Sequence, residues 1–101
     1  MTAAGCQLED RADGTLAVRG VLTFDTANAT WRSLRERLAR APAQVLDLSA
    51  VERSDSAGLA CVLAVLSEAG KQGQSLRVRG LPAGMRRLAQ VCEVESLLAA
   101  G

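Results

Sequence analysis

Most of the structural information in this chain is concentrated in residues 46–60, which read LDLSAVERSDSAGLA. The stretch opens on a short, mostly apolar run that ends at polar residues and is typical of a central β-strand. Residues 49–55 predict a loop, and the apolar sequence from Ser56 to about Lys71 predicts a helix. Asp55 and Ser56 stand where this helix begins, and either can accept a hydrogen bond from the free N–H groups of its first turn.

Physical reasoning alone gives Asp55 and Ser56 two interpretations. Both are ordinary N-cap residues, so the first is that they only satisfy N–H groups of the helix. The second is that they belong to a contact surface, because a helix N-terminus is partly positive and Gly58 has no side chain to keep another chain away. The residues themselves leave both interpretations open.

The segments on either side predict the rest of an α/β fold. Residues 6–12 and 15–21 have the character of two short strands. Asp13-Gly14 between them is a hairpin signal, because both residues tolerate the positive φ of a tight turn. Residues 76–80 alternate with period two and predict the last strand.

A helix is predicted between the second strand and Pro42, with Thr23 or Asp25 as its cap. One apolar face repeats at helical spacing: Ala27, Trp31, Leu34 and Leu38. Trp31 has two interpretations, core packing or partner contact, because tryptophan is rarely fully buried and is enriched among interface anchors. Four arginines of this helix suit either a solvated face or an acidic patch on a partner: Arg32, Arg35, Arg37 and Arg40.

A third helix follows the last strand, with Pro82 near its start. One stripe of it is apolar: Met85, Leu88, Ala89 and Cys92. Leu97 and Leu98 belong to a short final turn. The predicted order is β-β-α-β-α-β-α, an α/β fold in which a mixed sheet of about four strands packs against helices. We expect one domain over residues 1–101.

The composition of the 101 residues excludes several function classes. A 49% apolar and 23% charged chain is globular, and a formal charge of +1 gives no electrostatic reason to bind nucleic acid or an anionic membrane. Without histidine there is no Ser-His-Asp triad and no histidine metal ligand, and we expect no metal and no cofactor. Asp47 and Asp55 lack a visible base partner and Cys61 lies in an apolar helix, so catalysis is not expected.

The three cysteines, Cys6, Cys61 and Cys92, are odd in number and widely separated. This favours reduced, apolar packing residues over disulfides. The N-terminus has no basic start followed by an apolar run, so we expect no signal peptide. The longest apolar stretch, 57–66, falls short of the roughly 20 residues of a membrane span. We therefore expect a soluble protein with no direct membrane insertion.

The pattern D-L-S-x-V-x-x-x-D-S-x-G-L-A, which begins at Asp47 between a strand and an apolar helix, resembles the signature of STAS domains. The resemblance covers nearly the whole chain. Anti-sigma factor antagonists share this fold, and in them a partner kinase phosphorylates the serine after the aspartate. In this sequence the matching residue is Ser56, which the resemblance makes a possible phosphoacceptor.

Within the family, the chain most resembles the MlaB-type subunits of Mla phospholipid ABC transporters. Three segments carry this likeness: GVLTFD at 20–25 before the helix with Trp31, RSDSAGLA at 53–60, and GKQG at 70–73. The resemblance implies a non-enzymatic subunit that binds an MlaF-like ATPase subunit and, through it, the permease complex that maintains outer-membrane lipid asymmetry. The implied location is the cytoplasm, peripheral to the inner membrane.

The resemblance also implies which residues contact the partner. Ser56, at the start of the second helix, and Trp31, on the first, match positions of that docking face. Four further residues are included because they adjoin Ser56: Asp55, Ala57, Gly58 and Leu59. The alternative function is an anti-sigma factor antagonist regulated by phosphorylation of Ser56. Ala57 departs from the D-S-[ST]-G-[LIV]-[GA] pattern common in those proteins.

Overall fold

The computed structural model describes residues 2–3 and 6–98. Its strands are β1 (Thr2–Ala3), β2 (Cys6–Asp10), β3 (Thr15–Leu22), β4 (Val45–Ser54) and β5 (Arg77–Arg79). Its helices are α1 (Phe24–Arg40), α2 (Ser56–Lys71), α3 (Ala83–Val91) and α4 (Glu95–Leu98). The predicted α/β order is confirmed, with the short β1 added at one edge of the sheet and α4 at the end of the described chain.

The strands lie side by side in chain order, and their directions follow from the connections between them. The β2–β3 pair is antiparallel, and the hairpin between its strands has Gly14 at φ +85°. The Asp13 Oδ1 accepts a hydrogen bond from the Thr15 N–H at 3.1 Å. The β3–β4 and β4–β5 pairs are parallel, so each needs a crossover, and α1 and α2 supply them.

The core lies between one face of the sheet and the helices that cover it. Strand alternation and the apolar faces of α1 and α2 bring eight large side chains into this layer: Leu16, Val18, Leu46, Leu48, Leu34, Leu38, Val62 and Val65. Helix α1 packs against α2, so both helices cover the same face. No helix in the described part of the chain has the length and apolarity to cross a bilayer.

The cysteines are unpaired and divide between core and surface. Cys6 and Cys61 are buried in the core, and burial raises the pKa of the Cys61 thiol to about 12. Cys92 is exposed, so its predicted place on the apolar stripe of the third helix is wrong. The reason is that α3 ends at Val91, after which the chain turns through Glu93 at φ +60°. Met85 and Ala89 of that stripe are buried as predicted.

The predicted loop over residues 49–55 is wrong for most of its length, because β4 continues to Ser54. Pairing with the eight-residue β3 continues to the partners Leu22 and Ser54, across two shifts of register. The backbone of this polar segment is therefore satisfied by a neighbouring strand, while most of its side chains point to solvent.

The sheet face away from the helices is polar and centres on Asp47, which is 5% exposed. Its carboxylate binds Arg11 and Arg79 at 3.1 Å each and accepts hydrogen bonds from the N–H and hydroxyl of Ser49 at 3.0 and 2.7 Å. Burial alone raises the pKa of Asp47, but the bonds from Ser49 and Arg79 outweigh it and lower the pKa to about 2. Asp47 thus links β4 to β5 and to the hairpin between β2 and β3.

Candidate docking surface

The N-termini of α1 and α2 lie side by side at one edge of the sheet. The cause is the register of two parallel strands, in which Leu22, the last residue of β3, pairs with Ser54, the last of β4. One residue later each chain segment enters a helix, through Thr23 and through Asp55. Two partly positive helix ends therefore meet at one place on the surface.

Asp55 connects the two helix ends. Its Oδ1 accepts from the Gly58 N–H at 3.1 Å, which caps α2, and its Oδ2 accepts from the Phe24 N–H at 3.0 Å, which belongs to α1. The bond from Phe24 is the main reason that the pKa of Asp55 lies below its ordinary value, and the bond from Gly58 acts in the same direction. Asp55 is thus a charged anchor between two elements as well as the cap of its own helix.

Gly58 and Leu59 have packing roles in this structure. A Cβ on Gly58 would lie 2.3 Å from the carbonyl oxygen of Leu22, so only glycine lets α2 approach β3 this closely. Leu59 is 4% exposed and belongs to the core. Both residues were expected in the contact set as neighbours of Ser56, and their burial leaves them little surface to offer a partner.

In the helical part of the signature, the residues that reach the surface are Ser56 and Ala60, which lie four residues apart on the outer face of α2. Ala57 and Asp55 are half-buried beside them. Ser56 occupies the first position of α2, so its hydroxyl is accessible while its backbone is fixed by the helix and by Asp55.

Phe24 is a surface residue that the sequence reasoning missed. It is 82% exposed, although it is the only phenylalanine of the chain. It begins α1, and the bond from its N–H to Asp55 holds its backbone beside the start of α2. The signal available in the sequence was its spacing from Trp31, because residues seven apart lie on the same side of a helix.

Trp31 is half-buried and packs against the edge of the core. The buried face of α1 consists of residues four apart: Thr26, Thr30, Leu34 and Leu38. The observed buried face is therefore rotated around the helix axis relative to the predicted face, which ran through Ala27 and Trp31. Trp31 lies at the border of the observed buried face. One part of the indole contributes to packing and another is open to solvent.

The sequence and the structure were compared with known proteins. A family model described as "Mlab, STAS domain" matches residues 7–99. A comparison with curated protein sequences gives no match. Among solved structures, the unphosphorylated anti-sigma factor antagonist SpoIIAA matches with a TM-score of 0.71 and 16% identity, over 91% of this chain and 84% of that one.

Two longer proteins contain a similar fold. Mglu matches at a TM-score of 0.60 and 20% identity over 79% of this chain. SLC26A9 matches at 0.60 and 17% identity over 85% of this chain. The match spans 20% of the first protein and 17% of the second, so the likeness concerns one part of each.

The α/β order and the paired helix ends define a STAS-type fold, as the match to SpoIIAA shows. The family match extends over nearly all of the chain, and the protein belongs to the STAS family. The resemblance inferred from the signature that begins at Asp47 is confirmed.

Proposed function

We propose that this protein is the non-enzymatic STAS subunit of a Mla-type ABC transporter that moves phospholipids and maintains outer-membrane lipid asymmetry. In this proposal residues 1–101 form one cytoplasmic domain, which binds the MlaF-like ATPase subunit and reaches the inner membrane through the permease complex. The observation that carries the proposal is the match of residues 7–99 to the family described as Mlab.

The geometry of the helix ends supports a binding role for this surface. Ser56 and Phe24 are exposed on two adjacent helices whose starts are fixed by the same carboxylate, that of Asp55. An exposed aromatic side chain on a rigid backbone loses little entropy when a partner covers it. We therefore propose the contact surface as Phe24, Trp31, Ser56, Ala57 and Ala60.

The second candidate function is an anti-sigma factor antagonist, which the fold match to SpoIIAA favours. In that case a kinase phosphorylates the exposed Ser56 hydroxyl, and the added charge of about −2 lies beside Asp55 and repels the bound partner. The two functions use one surface and differ in the partner.

The test is binding of the purified ATPase subunit to the wild-type chain and to Ser56→Glu. Glutamate in the first turn suits the positive helix end, so we expect the variant to fold. In the complex its charge lies next to Asp55 on a surface the partner desolvates, and we expect affinity to fall at least roughly tenfold. Titration calorimetry gives the affinity and circular dichroism checks the fold.

Gln7→Glu is the matched control, because Gln7 is exposed on β2 and alternates with the buried Cys6, which places it on the sheet face away from the helices. It adds the same charge and should bind like the wild type. Equal affinity of Ser56→Glu and wild type would contradict the proposed surface. No binding by the wild type, together with a phosphate on Ser56 after incubation with a serine kinase of the same genome, would support the second candidate.

A further inference from the structure

One flank of α1 combines the exposed aromatic residue with positive charge. At about 100° per residue, four side chains fall within roughly 60° of one another around the helix. They are Phe24, Asn28, Trp31 and Arg35. Three of them are exposed and Trp31 is half-buried, so they form a continuous strip along about three turns or about 16 Å.

This strip lies on the α2 side of α1. Arg37 identifies the opposite flank, because its guanidinium binds Asp10 at the end of β2. Trp31 lies roughly 120° around the helix from Arg37, and Phe24, at the start of the same strip, donates its backbone N–H to Asp55, the cap of α2. The strip therefore borders the outer face of α2, which carries Ser56 and Ala60.

The charges around the strip are positive. Arg35 and its neighbour Arg32 are exposed, and neither belongs to a salt bridge among residues 6–98. The residues one turn from Arg35 in either direction carry no carboxylate. Asp25 and Glu36 are the two acidic residues of α1. They lie roughly 80–100° around the helix from Arg35, and Arg32 lies between them and Arg35.

The exposed charge on the outer face of α2 is also positive. It carries the exposed residues Ser56, Ala60, Ser67 and Lys71. These are uncharged near the start of the helix, and Lys71 adds a positive charge at its end. Glu68 lies roughly 60° around the helix from Lys71, but it is half-buried and its carboxylate accepts a hydrogen bond from Gln72 at 2.9 Å. The two helices therefore present an aromatic end beside Asp55 and, about three turns away, an end at which the exposed charges of Arg35 and Lys71 are positive.

We infer that this surface, from Phe24 to Arg35 and Lys71, receives an acidic segment of the ATPase subunit, with an apolar side chain packed on Phe24 and carboxylates facing Arg35. The inference rests on the proposed function and adds the chemistry of the partner and its orientation. Charge complementarity selects this occupant, because Arg32 and Arg35 are exposed, form no salt bridge within the described residues, and would be matched by carboxylates of the partner. Aromatic anchors such as Phe24 dominate the affinity of small interfaces.

The experiment measures the affinity of the full chain for the purified ATPase subunit at about 50 and about 500 mM NaCl, where surface charges are respectively weakly and strongly screened. We expect Phe24→Ala to weaken binding roughly tenfold or more at both salt concentrations. We expect Arg35→Glu to weaken it roughly tenfold at low salt and much less at high salt. Arg87→Glu is the control, since Arg87 is exposed on α3, and it should bind like the wild type.

The outcomes separate this inference from the function on which it rests. If the wild type binds, and Phe24→Ala and Arg35→Glu both bind as tightly as the wild type, the inference of an acidic partner segment is wrong and the proposed function stands. If the wild type does not bind, both are overturned. Sedimentation of the chain alone gives a further check, because a wild-type dimer that Phe24→Ala dissociates would assign the surface to a second copy and overturn the inference.

Discussion

At Gly58 the first turn of α2 passes directly over the end of β3. The Leu22 carbonyl oxygen occupies the place where any Cβ would stand, and as a backbone atom it cannot rotate away. Gly58 therefore sets the separation between α2 and β3. That separation brings Asp55 within hydrogen-bond distance of the Phe24 N–H.

We predict that Gly58→Ala lowers the free energy of unfolding by about 1–3 kcal/mol, because the new methyl group forces α2 away from β3. Gly70→Ala is the control within the same helix, where a Cβ meets no atom within 4 Å. It should be neutral or stabilising by up to about 1 kcal/mol. Urea denaturation measures both, and equal stability of the two variants would show that the close approach is not rigid.

Asp55 accepts two backbone hydrogen bonds, of which one could be predicted from the neighbouring sequence and the other could not. Capping of α2 was predicted, because an aspartate before an apolar helix satisfies N–H groups only three residues away. The bond to Phe24 could not be predicted, because the two residues are 31 positions apart and meet only through the register of β3 and β4.

At the scale of elements, β4 differs most from its prediction. Most residues in its second half are polar and exposed, and Val51 is the one that is both apolar and buried. Local hydrophobicity therefore indicates a loop. The strand forms because β3 is long enough to pair with it as far as Leu22. Asp47 lies in the first half of this strand, where its carboxylate binds Arg79 of β5 and Arg11 of the β2–β3 hairpin.

We predict that Asp47→Asn destabilises the fold by about 2 kcal/mol at pH 7. The native pKa of about 2 lies below the ordinary 3.8, so the stabilisation is fully present above pH 3.8 and is lost as pH falls through 2. At pH 3 the difference between wild type and variant should therefore be roughly half of its value at pH 7. Thermal and urea unfolding at the two pH values measure it.

Glu9→Gln is the control for this prediction. Glu9 pairs with Arg11 at 2.8 Å in the same cluster, but both side chains are largely exposed. Exposed pairs contribute at most about 1 kcal/mol, so this variant should show a small effect at pH 7. A pH-independent difference between wild type and Asp47→Asn would show that the carboxylate charge is not what stabilises the cluster.

At the scale of the whole molecule, one core joins the sheet to α1, α2 and α3. Trp31, the only tryptophan, packs at the edge of this core and reports on its integrity. Because every long element contributes to the same layer, partial unfolding would expose apolar surface throughout it.

We predict that residues 1–101 unfold in a single cooperative transition. Trp31 fluorescence and far-ultraviolet circular dichroism should give the same urea midpoint and the same slope, since the first probe reports tertiary packing and the second reports helix. Calorimetric and van't Hoff enthalpies should also agree. Two separated transitions would contradict the assignment of the chain to one domain.

Local sequence patterns are sufficient to predict the order of the elements, the hairpin at Asp13-Gly14, the start of α2 at Ser56 and membership of the STAS family. These features depend on periodicity, turn chemistry and caps, which act between residues a few positions apart. The extension of β4 to Ser54, the burial of Leu59 and the exposure of Phe24 beside Asp55 are visible only in the folded chain. The reason is that each of these depends on strand register and helix packing, which join residues distant in the chain.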